Sequence, residues 1–108
     1  MNGCNIENAG DVSLVRVTGE VDLSWSQQVR KTILDALGKA KAVGVELSQV
    51  TYMDSSGIAA LVEGFQTARA KGTKFALVSA SPPVRSVLAL ARLDKVFPMV
   101  DSAEAVKG

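Results

Sequence analysis

The chain has 108 residues, a net charge of +1 from 12 Lys+Arg against 11 Asp+Glu, no His, one Cys, and 47% hydrophobic against 21% charged residues. That is apolar material for one core, and the expectation is a single domain over residues 1–108. It excludes imidazole acid/base or metal chemistry, an internal disulfide and a thiolate cluster, and the balanced charge, with no basic run on any segment, points away from a nucleic-acid partner.

Residues 2–7 alternate weakly around Cys4 and Ile6 and read as an edge strand. Cys4 is read as a free thiol in a reducing compartment. Asn8-Ala9-Gly10-Asp11 is a turn signal. Residues 12–18, with Val15 and Val17 on one face and Arg16 and Thr18 on the other, complete a hairpin. Residues 19–23 break the alternation and read as a loop. Ser24, followed three residues later by Gln27, fits a capping box, and Trp25, Val29, Ile33, Ala36 and Leu37 form the stripe of a first helix that Gly38 ends. Val43, Val45 and Leu47 alternate with Gly44, Glu46 and Ser48 as a strand.

Ile58, Leu61, Val62, Phe65 and Ala68 then predict a second helix, closed by Gly72 with Arg69 and Lys71 near its negative end. Residues 74–78 read as a buried strand. Ser81 and Pro82 are a cap and a first helical position, and Val84, Val87, Leu88 and Ala91 form a short third helix. Pro98 confines residues 96–100 to an edge, and residues 103–106 read as a final helical turn. No stretch reaches the roughly 18 apolar residues of a membrane span, and no signal sequence stands at the start. The expectation is a cytoplasmic protein without membrane insertion.

Helices alternating with buried strands require parallel pairing through right-handed crossovers. The fold class expected is α/β: a mixed β-sheet with an N-terminal hairpin, parallel strands and helices packed on it. Function in such sheets gathers beyond the carboxyl ends of the strands, where residues 19–23, 54–57 and 79–83 converge. Chemistry concentrates in Asp54-Ser55-Ser56-Gly57, between a strand and the N-terminus of a helix with unpaired N–H groups and a partial positive charge. On residue types alone, Ser56 is a phosphoacceptor or a helix cap, Ser55 is the cap that supports the turn, and Asp54 is a turn residue. Asp22 and Glu20 are loop solvation or partner contacts. Trp25 is core rather than interface. Val21, Leu23 and Met53 are interface or core. Asp22 and Asp54 lack the third ligand that a metal site needs, no cofactor fingerprint is present, and Gly57 lacks the lysine and glycine pattern of a nucleotide loop.

The stretches Thr18-Gly19-Glu20-Val21-Asp22-Leu23, Glu46 through Ile58 with its Met53-Asp54-Ser55-Ser56-Gly57 core, and the strand and loop from Gly72 to Pro83 together resemble the STAS domain, specifically the stand-alone bacterial anti-sigma factor antagonists. The resemblance covers nearly the whole chain. It implies a binding protein and not an enzyme. Its partner is an anti-sigma factor that is also a serine kinase, and binding frees a sigma factor. The kinase phosphorylates the second serine of the pair, here Ser56, which ends binding, and a serine phosphatase resets it. The resemblance makes Asp54 a positioning residue in the kinase complex and maps the family's loop aspartate onto Asp22.

A phosphate on Ser56 would add about −1.5 to −2 charges. The helix N-terminus would accept it, while a surface matched to a neutral hydroxyl would reject it. Gly57 would leave room for close backbone approach, and Ser81 would lie near enough for contact. The alternative within the same fold is a STAS subunit of a lipid-trafficking ABC transporter or of a stress-signalling complex, against which the intact Ser55-Ser56 argues.

Overall fold

The computed structural model describes residues 2–107. The elements run β1 (Gly3–Ala9), β2 (Val12–Val21), α1 (Ser26–Leu37), β3 (Ala42–Met53), α2 (Ser55–Lys71), β4 (Lys74–Val78), α3 (Pro82–Leu90), β5 (Met99–Val100) and a closing 3₁₀ turn (Glu104–Lys107). The five strands lie in the order β1-β2-β3-β4-β5. β1 and β2 are antiparallel, and every later pair is parallel. The α/β mixed sheet with an N-terminal hairpin is therefore the observed architecture.

The period of two in the strands decides the layers. Val15 and Val17 of β2, Val43, Val45 and Leu47 of β3, and Phe75 and Leu77 of β4 meet Val29 and Ile33 of α1, Ile58 and Leu61 of α2, and Val84 and Leu88 of α3 in one cluster. The alternate residues Val12, Leu14, Ala42, Ala76 and Val78 meet Val106 of the 3₁₀ turn in a smaller one. Gly44 lies on that second face. A Cβ there would come within 2.9 Å of both Val106 and Val78, so glycine lets the closing turn seat on the sheet. Glu46, on the same face as Gly44, is buried. It accepts from the Ser48 amide at 3.2 Å and stands 3.7 Å from Arg16.

Three boundaries beside the candidate site differ from expectation. β2 runs through Gly19 and Glu20 to Val21, where a loop was expected. The register against β3 shifts between Arg16 and Thr18 and again between Gly19 and Glu20. Gly19, at φ 87, supplies the left-handed conformation such a bulge uses. Second, Ser24 and Gln27 form no capping box. Trp25 is the N-cap of α1 and makes no side-chain cap bond. The start is held from upstream instead, by the Asp22 carbonyl, which accepts from the Trp25 and Ser26 amides at 3.2 and 2.9 Å. Third, α2 begins at Ser55 and not at Ile58.

Candidate functional site

β2 and β3 end side by side, with Val21 paired to Met53. Both are fully buried, so the two strands deliver the chain to the surface on a fixed base. The Asp54 amide donates to the Val21 carbonyl at 3.1 Å, which ties the two exits together. Asp54 then turns extended backbone into helix. It is the N-cap of α2, and its Oδ1 accepts from the Ser56 and Gly57 amides at 2.9 and 3.4 Å. The Asp54 carbonyl accepts from the Gly57 and Ile58 amides, both at 3.1 Å. Asp is among the preferred N-cap residues because its oxygen satisfies such orphan donors.

The cap assigned to Ser55 thus belongs to Asp54. Ser55 is the first helical residue and is exposed. Ser56 follows, half-buried, and its hydroxyl donates to Asp54 Oδ1 at 2.5 Å. That bond is the main reason the Asp54 carboxyl is held below its ordinary value. Desolvation opposes it, and the Ser56, Gly57 and Leu23 amides each add a smaller lowering effect. Asp54 is therefore an ionised acceptor that fixes the direction of the Ser56 hydroxyl. Three of the amides expected to be free at this helix start, those of Ser56, Gly57 and Ile58, are already engaged by Asp54.

Gly57 is buried, and a Cβ there would stand 2.6 Å from Met53 Cγ and 2.8 Å from Val21 Cγ1. Its missing side chain lets α2 seat on the ends of β2 and β3. Room for an approaching chain is not what it provides.

The loop before α1 supplies the second wall. Asp22 accepts from the Ser24 amide at 2.9 Å and from its hydroxyl at 2.5 Å. This local turn holds Asp22 half-buried and leaves Leu23 75% exposed. Tyr52, 51% exposed, pairs in register with Glu20 beside the same exits. Of the three apolar residues left between core and interface, Val21 and Met53 are core and Leu23 is surface. Trp25 is half-buried and packs against the main core, with its indole N–H donating to the Glu20 carbonyl.

Ser81 does not join this surface. It is only 5% exposed, its hydroxyl donates to the Val50 carbonyl at 2.6 Å, and its amide to the Leu47 carbonyl at 3.3 Å. Val50 lies four residues before Asp54, roughly 13 Å along a strand. The hydroxyl ties the start of α3 to β3 and has no free face to offer.

Among the described residues, no three His, Cys, Asp or Glu side chains stand close enough together to hold a metal ion. No helix among them is long and apolar enough to cross a membrane. The arrangement presents an oriented serine hydroxyl beside a carboxylate, at the edge of an exposed surface containing Leu23 and Tyr52.

The family model described as STAS domain matches residues 4–106. The Anti-sigma F factor antagonist of Paenibacillus polymyxa is 29% identical over 99 residues, covering 90% of this chain and 85% of that protein. The crystal structure of an anti-sigma factor antagonist from Mycobacterium paratuberculosis superposes with a TM-score of 0.87 at 26% identity, over 99% of this chain and 92% of that one. The phosphorylated form of the Bacillus cell fate determinant SpoIIAA shares the fold, with a TM-score of 0.75 at 22% identity over 97% of this chain and 96% of that one.

Proposed function

This chain belongs to the STAS domain family, and on that premise we propose that it is an anti-sigma factor antagonist: a regulatory binding protein whose partner is a serine-kinase anti-sigma factor and whose off-switch is phosphorylation of Ser56. One observation carries the reading. The second serine of Asp54-Ser55-Ser56-Gly57 stands half-buried at the helix start with its hydroxyl donating to an ionised Asp54. Binding of the partner to the surface around Leu23, Asp22 and Ser55 releases the sigma factor.

Phosphoryl transfer requires a nucleophilic oxygen aimed in line with the γ-phosphorus of ATP. The Ser56–Asp54 hydrogen bond holds the proton on one side and so sets the lone pairs of Oγ. In the transfer Oγ bonds to the γ-phosphorus, the bond to the bridging oxygen of ADP breaks, and the hydroxyl proton leaves to a base. Asp54, held below its ordinary range, orients the hydroxyl more than it accepts the proton. The product carries about −1.5 to −2 charges beside an existing carboxylate. A partner face matched to a neutral hydroxyl then meets a desolvated charge. A ten-thousandfold loss of affinity requires about 5.5 kcal/mol, within reach of an unpaired charge at an interface. A serine phosphatase removes the phosphate and restores binding.

The test is incubation of the protein with the host's serine-kinase anti-sigma factors and ATP, followed by mass spectrometry of the tryptic peptides. Phosphate is expected on Ser56. Its absence with every such kinase, or an unchanged affinity of Ser56→Asp for the anti-sigma factor, overturns the reading. Ser56→Ala is expected to keep binding and to lose the switch.

A further inference from the structure

The net charge of +1 conceals an uneven distribution. Lys39, Lys41, Lys74 and Lys107 line one cleft of about 850 Å³, in which Asp11 is the single carboxylate. The cleft lies at the amino ends of β3 and β4, beside the β1–β2 turn, at the other end of β3 from Ser56. No short segment carries this charge. Parallel topology brings the α1–β3 connection, the start of β4 and the closing 3₁₀ turn to one end of the sheet, and each contributes lysine there. A basic patch invisible in the linear order is thereby assembled by the fold.

Two of the four lysines are engaged locally. Lys74 donates to the Lys107 carbonyl, and the Lys107 ammonium stands 3.4 Å from Asp11. Lys39 and Lys41 enter no ion pair among the described residues. Four ammonium groups around a concavity with one carboxylate repel one another, and an anion relieves that repulsion. The volume lies within the roughly 300–1,000 Å³ of small-ligand sites. Four exposed lysines ring this open cleft within reach of one another, an arrangement that suits a compact anion with several charges. No aromatic ring lines it, so nothing there stacks a base. Lysines act on phosphate as point charges, and several spaced lysines match a ligand with several charged groups in a row.

We propose that this cleft binds a short polyphosphate chain, either inorganic triphosphate or the phosphate tail of a nucleotide. The site is separate from the Ser56 surface, and binding there does not depend on the function proposed above.

The experiment is an NMR titration of the ¹⁵N-labelled full chain with inorganic tripolyphosphate at low ionic strength. Saturable shifts are expected at the amides of Gly10, Lys41, Gly72 and Lys107, weakening as salt is added. The exposed double variant Lys39→Gln/Lys41→Gln is expected to bind at least about tenfold more weakly. Asp11→Asn, which removes the competing carboxylate, is expected to bind more tightly, a gain that misfolding cannot imitate. ATP is expected to match tripolyphosphate within about threefold, because the cleft offers the base no platform. Absence of saturable shifts, equal binding by the double glutamine variant, or no gain from Asp11→Asn overturns the proposal. So does a short DNA duplex that displaces tripolyphosphate from the same amides at lower concentration, which would make the patch a nucleic-acid surface.

Discussion

The Asp54 carboxylate serves two masters: it caps α2 through the Ser56 and Gly57 amides and orients the Ser56 hydroxyl. A phosphate on Ser56 removes the hydroxyl donor and places a second anion beside the cap. The Ser56, Gly57 and Ile58 amides are already engaged by Asp54, so the added anion would weaken the cap as well as the partner interface. Ser56→Asp is therefore expected to melt at a lower temperature than the wild type, and Asp54→Asn, which still caps, is expected to suppress that loss. Thermal denaturation of the two single variants and the double variant forms a cycle. Additive effects would show that the two carboxylates do not interact.

The pH dependence has a definite sign. Asp54 titrates below its ordinary value in the folded chain. Its charge therefore stabilises the fold above the unfolded carboxylate value and stops doing so as pH falls through the lower, folded one. The difference in melting temperature between wild type and Asp54→Asn is expected to narrow as pH falls through and below the ordinary carboxylate value. The Asp-Ser-Ser-Gly pattern was legible in the sequence as the turn between a strand and a helix start. Which of its members caps was not, because Asp and Ser satisfy an N-cap almost equally well and only the backbone decides. The burial of Ser81 was equally hidden, since a loop serine carries no mark of facing inward.

At the scale of elements, hydrophobic period did most of the work. Strand alternation and helical stripes located all three helices and the four longer segments of the sheet, with boundaries off by a few residues where a bulge carried β2 on to Val21. The bulge left no reliable signal beyond Gly19, whose freedom to adopt φ 87 is used there. Helix-to-helix spacing was also illegible. Gly64 sits inside α2, where glycine costs about 1 kcal/mol relative to alanine. A Cβ there would meet Ile33 Cγ2 at 2.7 Å and Phe75 at 3.3 Å, so the glycine sets how closely α1 and α2 approach across the sheet. The Arg30–Glu63 ion pair at 2.7 Å bridges the same two helices at their surface. Gly64→Ala gains propensity but overpacks the core, at a typical cost of about 1–3 kcal/mol. A net destabilisation is expected in urea unfolding, read as a lower midpoint at unchanged slope. A midpoint equal to or above the wild type would show that the helices part without penalty.

For the whole molecule, the sheet separates the two proposed sites by the length of β3. Ala42 lines the lysine cleft, and Met53 adjoins Asp54. β3 runs nearly the length of a molecule whose longest dimension is 29 Å, so its two ends stand apart by about three times the ~8 Å screening length at physiological salt. Direct electrostatic influence of a phosphate at Ser56 on the four lysines is thus small in spite of its charge. Conformational influence needs an element with two arrangements that both sites bias. The path between them is instead a parallel ladder with one face, Val43, Val45, Leu47, Val50 and Met53, buried along its whole length, and the other covered near its start, where Gly44 lies against Val106. The two ends are therefore expected to act independently. Ser56→Asp should leave the affinity for tripolyphosphate within about twofold of the wild type. Saturating tripolyphosphate should leave the affinity for the anti-sigma factor unchanged, and by reciprocity the bound anti-sigma factor should leave that for tripolyphosphate unchanged. A change of tenfold or more in either titration, measured by calorimetry at physiological salt, would mean that the sheet carries a second arrangement and that the charge at one end reports on the state of the other.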